Sequence, residues 1–254
     1  MTRSSQHARK IPKQILKKIE SQRNLGQQCL AVFDLDSTLF DVSPRLLRIL
    51  LDFAATPEYQ KKFPEQIQLF KNIRTERQDW GIQNALERVG LDRHHPEFLE
   101  AVHDFWHERF FANEYLEYDL PYDGAVEYVN NIVSLGAEVA YLTGRDIPRM
   151  GAGTALVLKK WGFPLDDQQV QLILKPNKTL DDAEFKTNYF EQLPEGKYAN
   201  IWFFENEPMN IHHLRHRLPE VEVIFFHSTH AGKAAPPEDI PRIMHFLLDE
   251  TEDG

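Results

Sequence analysis

Four short stretches of this chain hold residue types that do chemistry together, and each follows an apolar run. The first is Asp34-Leu35-Asp36-Ser37-Thr38, behind the run 30–35. The second is Thr143-Gly144-Arg145-Asp146, behind 139–142. The third is Lys175-Pro176-Asn177, behind 170–174, and the fourth is Glu205-Asn206-Glu207, behind 201–204. Alone, an Asp-x-Asp serves as a turn or a helix cap, a Thr-Gly is a turn, and a loop Glu is solvated. Taken in order, they bring carboxylates, a hydroxyl and a lysine to the ends of successive strands. Carboxylates gathered in one place repel each other unless a cation joins them. Oxygen ligands of this kind suit a hard ion, Mg²⁺ by default.

The elements that would position these groups follow from hydropathy. Five apolar runs with little alternation, 30–35, 139–142, 170–174, 201–204 and 221–226, read as strands buried on both faces. Helical patterns over 150–161, 181–192 and 207–217 separate the last four. Strand and helix alternate, so the fold class is α/β, a Rossmann-like core of five parallel strands joined by right-handed crossovers. In such a sheet ligands bind at the carboxyl ends of the strands, where the four stretches lie.

The spacing breaks once. About a hundred residues separate the first two strands, far more than one crossover helix needs. A helix over 125–135 accounts for part of them. The rest, 44–118, is helical by pattern. Leu46, Leu47, Leu50, Leu51 and Ala54 form one face, Ile82, Leu86 and Val89 a second, and Leu99, Val102, Trp106 and Phe110 a third. The expected organisation is a basic amphipathic helix over 1–25, an α/β core over 26–43 and 119–254, and an all-α insert over 44–118.

The run 30–40, with Asp34, Asp36 and Thr38 after an apolar strand, resembles the first motif of the haloacid dehalogenase (HAD) superfamily. The run 139–145, a strand ending in Thr143, resembles the second. The resemblance covers roughly 28–42 and 120–230, and the helical insert falls where the family places its first type of cap domain. It implies a phosphatase-type hydrolase. Asp34 would be the nucleophile that forms an aspartyl-phosphate, Asp36 the general acid and then base, and Thr143 a hydrogen-bond donor to the phosphoryl group. Mg²⁺ would be held by Asp34, the Asp36 carbonyl and a fourth-motif carboxylate, here Glu205 where the family usually has Asp. The third-motif lysine is Lys186 or Lys175. The pattern 181–186 favours Lys186, at the start of a helix, and leaves Lys175 as a substrate contact. Gly144, Arg145 and Arg45 join Thr143 and Lys175 as expected phosphate or substrate contacts.

Composition narrows the function classes. The 254 residues are 42% hydrophobic, enough for a core, and no apolar run approaches the length of a membrane span. The formal charge is −10. It divides into +6 on residues 1–25 and −16 on the remainder. An acidic body disfavours extended nucleic-acid contact, so a small soluble phosphorylated molecule is the expected partner. The basic arm, with Ile11, Ile15, Leu16 and Ile19 at helical spacing, offers a face to a partner, a nucleic acid, a membrane surface or the protein's own acidic body. Cys29 is the only cysteine, so no disulfide framework exists. Without an apolar leader, a cytoplasmic location is expected. His103 and His107 stand four apart on a helix without an evident third zinc ligand. Rival functions are a phosphotransferase or mutase of the same superfamily, a dehalogenase proper, a nucleic-acid end-processing phosphatase, and a non-catalytic phosphate-binding module with a degenerate metal site.

Overall fold

A computed structural model describes residues 10–248, so the outer part of the basic arm, 1–9, and the tail 249–254 lie outside the described residues. The chain starts with α1 (Ile11–Asn24) and passes into β1 (Gln28–Phe33). Ile11, Ile15 and Ile19 of α1 are buried in the main hydrophobic cluster, so this face of the basic helix packs on the protein's own body. Its charged residues are left towards solvent, the arrangement an amphipathic helix requires.

After β1 come β2 (Phe40–Asp41), α2 (Ser43–Ala55), α3 (Pro57–Lys62), α4 (Pro64–Leu69), α5 (Gln83–Arg88), α6 (Pro96–Phe110) and the short β3 (Leu120–Pro121). Prolines in the first turns of α2, α3, α4 and α6 start these helices where a missing N–H costs nothing. The remainder alternates regularly: α7 (Ala125–Ser134), β4 (Glu138–Asp146), α8 (Ile147–Trp161), β5 (Val170–Lys175), α9 (Asp182–Glu191), β6 (Tyr198–Glu205), α10 (Pro208–Arg217), β7 (Glu222–Phe226) and β8 (Arg242–Ile243).

The sheet is parallel throughout, in the order β5-β4-β1-β6-β7-β8. It has six strands where the apolar runs give five. The sixth, β8, is a two-residue pairing of Arg242 and Ile243 with Phe225 and Phe226, too short to leave a run in the sequence. Alternate residues of β1 face opposite sides of the sheet. Ala31 and Phe33 join a cluster with residues of α1, α7 and α8, while Leu30 and Val32 join one with residues of α9 and α10.

A third cluster belongs to the helical segment alone. Leu46, Ile49, Leu50, Phe53, Phe98, Val102 and Phe105 form its centre, with Phe53 edge-on to Phe98 at 5.7 Å and to Phe105 at 5.4 Å. Ile49 and Phe53 take the inner positions of α2, and Leu51, expected on that face, is exposed. The chain enters and leaves this segment side by side, because β2 and β3 pair antiparallel, Phe40 with Pro121 and Asp41 with Leu120. Among the described residues no helix is long and apolar enough to cross a membrane.

Candidate active site

β1 delivers Asp34 to the carboxyl edge of the sheet at its centre, and the turn that follows is tightly specified. Asp34 N–H donates to the Phe204 carbonyl, and the Leu35 carbonyl accepts from Thr38, Leu39 and Phe40. Ser37 has φ +63°, the only non-glycine residue in the left-handed region among those described. Strain of that kind persists where surrounding contacts overdetermine the backbone. Here Ser37 N–H donates to the Phe40 carbonyl at 2.7 Å, and Ser228 Oγ donates to the Ser37 carbonyl. Thr38 Oγ1 donates to Asn206 Oδ1 at 3.1 Å, tying the first motif to the fourth.

Lys186 reaches this edge from α9, which begins at Asp181, a side-chain cap on the Glu184 N–H. Its Nζ lies 2.6 Å from Asp34 Oδ1 and 2.7 Å from Glu205 Oε2. All three side chains are buried. Burial raises the Asp34 pKa, and the Glu205 and Asp36 charges add to the rise. The Lys186 charge opposes it, and the balance leaves Asp34 at about 7. Burial disfavours the Lys186 charge, yet the two carboxylates carry its pKa above the usual lysine value.

Asp36, two residues on, faces a different set. Arg145 Nε donates to its Oδ2 and Arg145 Nη2 to its Oδ1, each at 2.9 Å, and Arg45 Nη2 also donates to Oδ1. Both arginines continue to the fully buried Asp119. Arg145 Nη2 is 2.7 Å from Asp119 Oδ2, and Arg45 Nε is 2.9 Å from Asp119 Oδ1, an ion pair without hydrogen-bond alignment. Arg45 also donates to the Phe110 carbonyl and lies over the Phe110 ring. Burial would raise the Asp36 pKa, but Arg145 and Arg45 outweigh it and hold the carboxyl well below the usual range. For Asp119 burial prevails over the same two arginines, and its pKa is pushed up to about 6.

The residues expected to contact substrate have protein partners in this arrangement. Arg45 and Arg145, expected on substrate, are almost wholly buried and have their guanidiniums on Asp36 and Asp119. Lys175, expected as a further substrate contact, donates to Asp182 Oδ1 and to the Leu180 carbonyl, bracing the loop before α9. It is Lys186 that the fold brings to Asp34. Gly144 contributes by lacking a side chain, since a Cβ there would lie 2.6 Å from Asp182 Oδ2. Thr143 is fully buried, and its Oγ1 accepts the Arg145 N–H at 3.3 Å. Asp119 and Asn210 carried no motif and were missed. Asp119 is one of several acids in the chain returning from the helical segment, with Glu114, Glu117 and Asp123 around it, and nothing local sets it apart.

Glu205, expected as a direct metal ligand, has its oxygens occupied by protein donors. Oε1 accepts the Asn206 and Glu207 N–H groups, and Oε2 accepts Lys186 Nζ and Asn210 Nδ2. Four donors fill its acceptor directions, so direct ligation requires one of them to move. Among the described residues no group of three or more His, Cys, Asp or Glu side chains is placed to hold a metal ion. The donor chemistry still fits a hard cation. Asp34 and Glu205 supply two carboxylates against one ammonium. Asp34 Oδ2 and the Asp36 carbonyl would be its first oxygens, with Glu205 supporting. Two surface cavities of about 510 and 610 Å³ border none of these groups.

The sequence profile of the haloacid dehalogenase-like hydrolases matches residues 30–206, and the chain belongs to that family. Among solved structures, a HAD-superfamily hydrolase of subfamily IA from Geobacter sulfurreducens superposes with a TM-score of 0.50 at 13% identity, covering 87% of this chain and 97% of that one. A haloacid dehalogenase-like hydrolase from Burkholderia xenovorans gives a TM-score of 0.44 at 13% identity, covering 87% and 94%. The magnesium-bound HAD hydrolase YfnB from Bacillus subtilis gives 0.46 at 13% identity, covering 79% and 89%. No curated protein matches the sequence.

Proposed function

We propose that this hydrolase is a Mg²⁺-dependent phosphatase, cleaving monoesters of a small soluble phosphorylated molecule through an aspartyl-phosphate on Asp34. The observation that carries this reading is the buried Asp34–Lys186–Glu205 bridge at the end of the central strand. A lysine bonded to the nucleophile's own oxygen neutralises charge where a phosphoryl group would arrive. An Asp34 oxygen attacks phosphorus, and the ester oxygen leaves with a proton from Asp36. Water then attacks the aspartyl-phosphate, Asp36 takes its proton, and phosphate departs. Thr143 and the turn amides orient the phosphoryl oxygens. Mg²⁺, when bound by Asp34 and the Asp36 carbonyl, supplies further charge neutralisation.

In the described arrangement Asp36 is an ionised carboxylate, ready for the water-attack step. Protonation for the first step requires a guanidinium to withdraw, and Arg45 belongs to the helical segment. We take 44–118 as a cap whose opening both admits substrate and loosens that contact.

Turnover of an aryl phosphate with Mg²⁺ and its loss in EDTA tests the reaction class. A panel of sugar phosphates, nucleotides, phospholipid head-group esters and a 3′-phosphorylated oligonucleotide then sorts the substrate. The filled acceptor directions of Glu205 support a second reading, a phosphate-ligand binding module. That reading expects tight phosphate-ester binding with no turnover of any panel member. Phosphate appearing on an added acceptor faster than in solution would mark a transferase instead.

A further inference from the structure

The two chain passages between core and helical segment meet at Asp36. Arg45 stands in the first turns of α2, on the outgoing passage, and Asp119 stands beside β3, on the return. Arg145 comes from the end of β4. Both carboxylate oxygens of Asp119 face these two arginines, and both arginines hold Asp36. Asp119 is fully buried, and its backbone carbonyl accepts the Trp161 indole N–H at 2.9 Å, which fixes it from α8.

We propose that Asp119 is the positioning residue for Asp36: acting through Arg145 and Arg45, it fixes where the Asp36 carboxylate points. Two buried guanidiniums facing one carboxylate would repel each other and pull on it unequally. The second carboxylate makes the group neutral, two acids against two bases, and sets each guanidinium plane. Asp119 touches no reacting atom. The proposal rests on Asp36 as the proton-transfer group, so its test has one arm that needs turnover and one that does not.

The first arm compares an alkyl phosphate, whose leaving oxygen needs a proton, with an activated aryl phosphate, whose leaving oxygen does not. In Asp119→Asn, kcat for the alkyl ester is expected to fall by about 30-fold or more and that for the aryl ester by less than about 3-fold, with KM little changed. Asp119→Glu keeps the charge and should recover part of the alkyl rate, and it serves alone if the Asn variant does not fold. Equal losses on both esters, or none, overturn the proposal. The second arm is a thermal cycle of Asp119→Asn, Asp36→Asn and the double variant. Coupling through the shared arginines predicts that the Tm losses are clearly less than additive, and additive losses overturn the proposal. If the wild type hydrolyses neither ester, the phosphatase reading fails and the thermal cycle alone decides on Asp119.

Discussion

Asp34 and Asp36 stand two residues apart in one turn, yet their carboxylates occupy opposite electrostatic surroundings. Asp34 shares a single ammonium, Lys186, with Glu205, a set of two acids and one base. Asp36 shares two guanidiniums with Asp119, a set of two acids and two bases. The first set is short of one positive charge, and burial, with the Glu205 charge added, outweighs Lys186 and pushes Asp34 up to about 7. In the second, Arg145 and Arg45 hold Asp36 down, while burial lifts Asp119 to about 6. A missing cation is what an anionic substrate with its metal ion can supply. A balanced set has nothing to gain from one, and it serves to hold a side chain in place.

The contrast can be broken most severely at Asp34. Asp34→Asn is expected to lower turnover by roughly four orders of magnitude or more while the fold stays intact, as removal of a covalent nucleophile does. Steady-state rates and circular dichroism check it, and retained activity would remove the nucleophile assignment. Lys186→Met comes next. It leaves two buried carboxylates unpaired, so a destabilisation of about 3–5 kcal/mol is expected, together with a loss of about 10²–10³-fold in kcat. If added Mg²⁺ restores part of the Tm in this variant and not in Asp119→Asn, the charge deficit lies in the first set, as described.

The pH dependence separates the sets further. Asp119 is held at about 6 in the fold against an ordinary value of 3.8. Between those values the folded state binds the extra proton. The contribution of this group to stability is therefore present below about 4 and lost as pH rises through about 6. The Tm of wild type relative to Asp119→Asn should fall over that interval in thermal melts, and a difference that rises would contradict the burial-dominated balance. The smallest effect is expected at Arg77. Its side chain is 46% exposed and pairs with Asp41 and Asp123. Arg77→Ala should cost under about 1 kcal/mol in denaturant unfolding and leave kcat unchanged.

What was legible in the sequence follows the same physics. β1, β4, β6 and β7 announce themselves because a strand buried on both faces needs an unbroken apolar run, and β5, at the sheet edge and only partly buried, carries the same kind of run. The helices α8, α9 and α10 fall within a few residues of their patterns, because each presents one apolar face to the sheet. β2, β3 and β8 are two-residue pairings whose partners lie elsewhere in the chain, and no local pattern encodes them. In the site, Asp34, Asp36, Thr143, Lys186 and Glu205 stand out because strand ends and a helix start put them in order. Arg45 and Arg145 are visible as residues, but their pairing with Asp36 and Asp119 is not. Whether a guanidinium faces substrate or a buried acid depends on Asp119, which reaches them only after the chain has travelled through the helical segment and back. Glu205 was read by its reach, but its environment of two backbone amides, a lysine and an amide side chain is set by the β6–α10 turn and by α9.

The central place of β1 has a consequence for how the molecule is made. Its neighbours β4 and β6 pair with it through Leu30 opposite Glu138 on one side and Ile201 on the other, each more than a hundred residues along the chain. Closing loops of that size is slow compared with forming the local helices. The strand that leaves the ribosome first therefore waits for both flanks. Helical elements between 43 and 110 can gather their own cluster in the meantime. Asp34 meets Lys186 and Glu205 only when β6 docks, so the proposed reaction centre is complete only late in folding. Recovery of activity on refolding should accordingly lag behind recovery of helical signal.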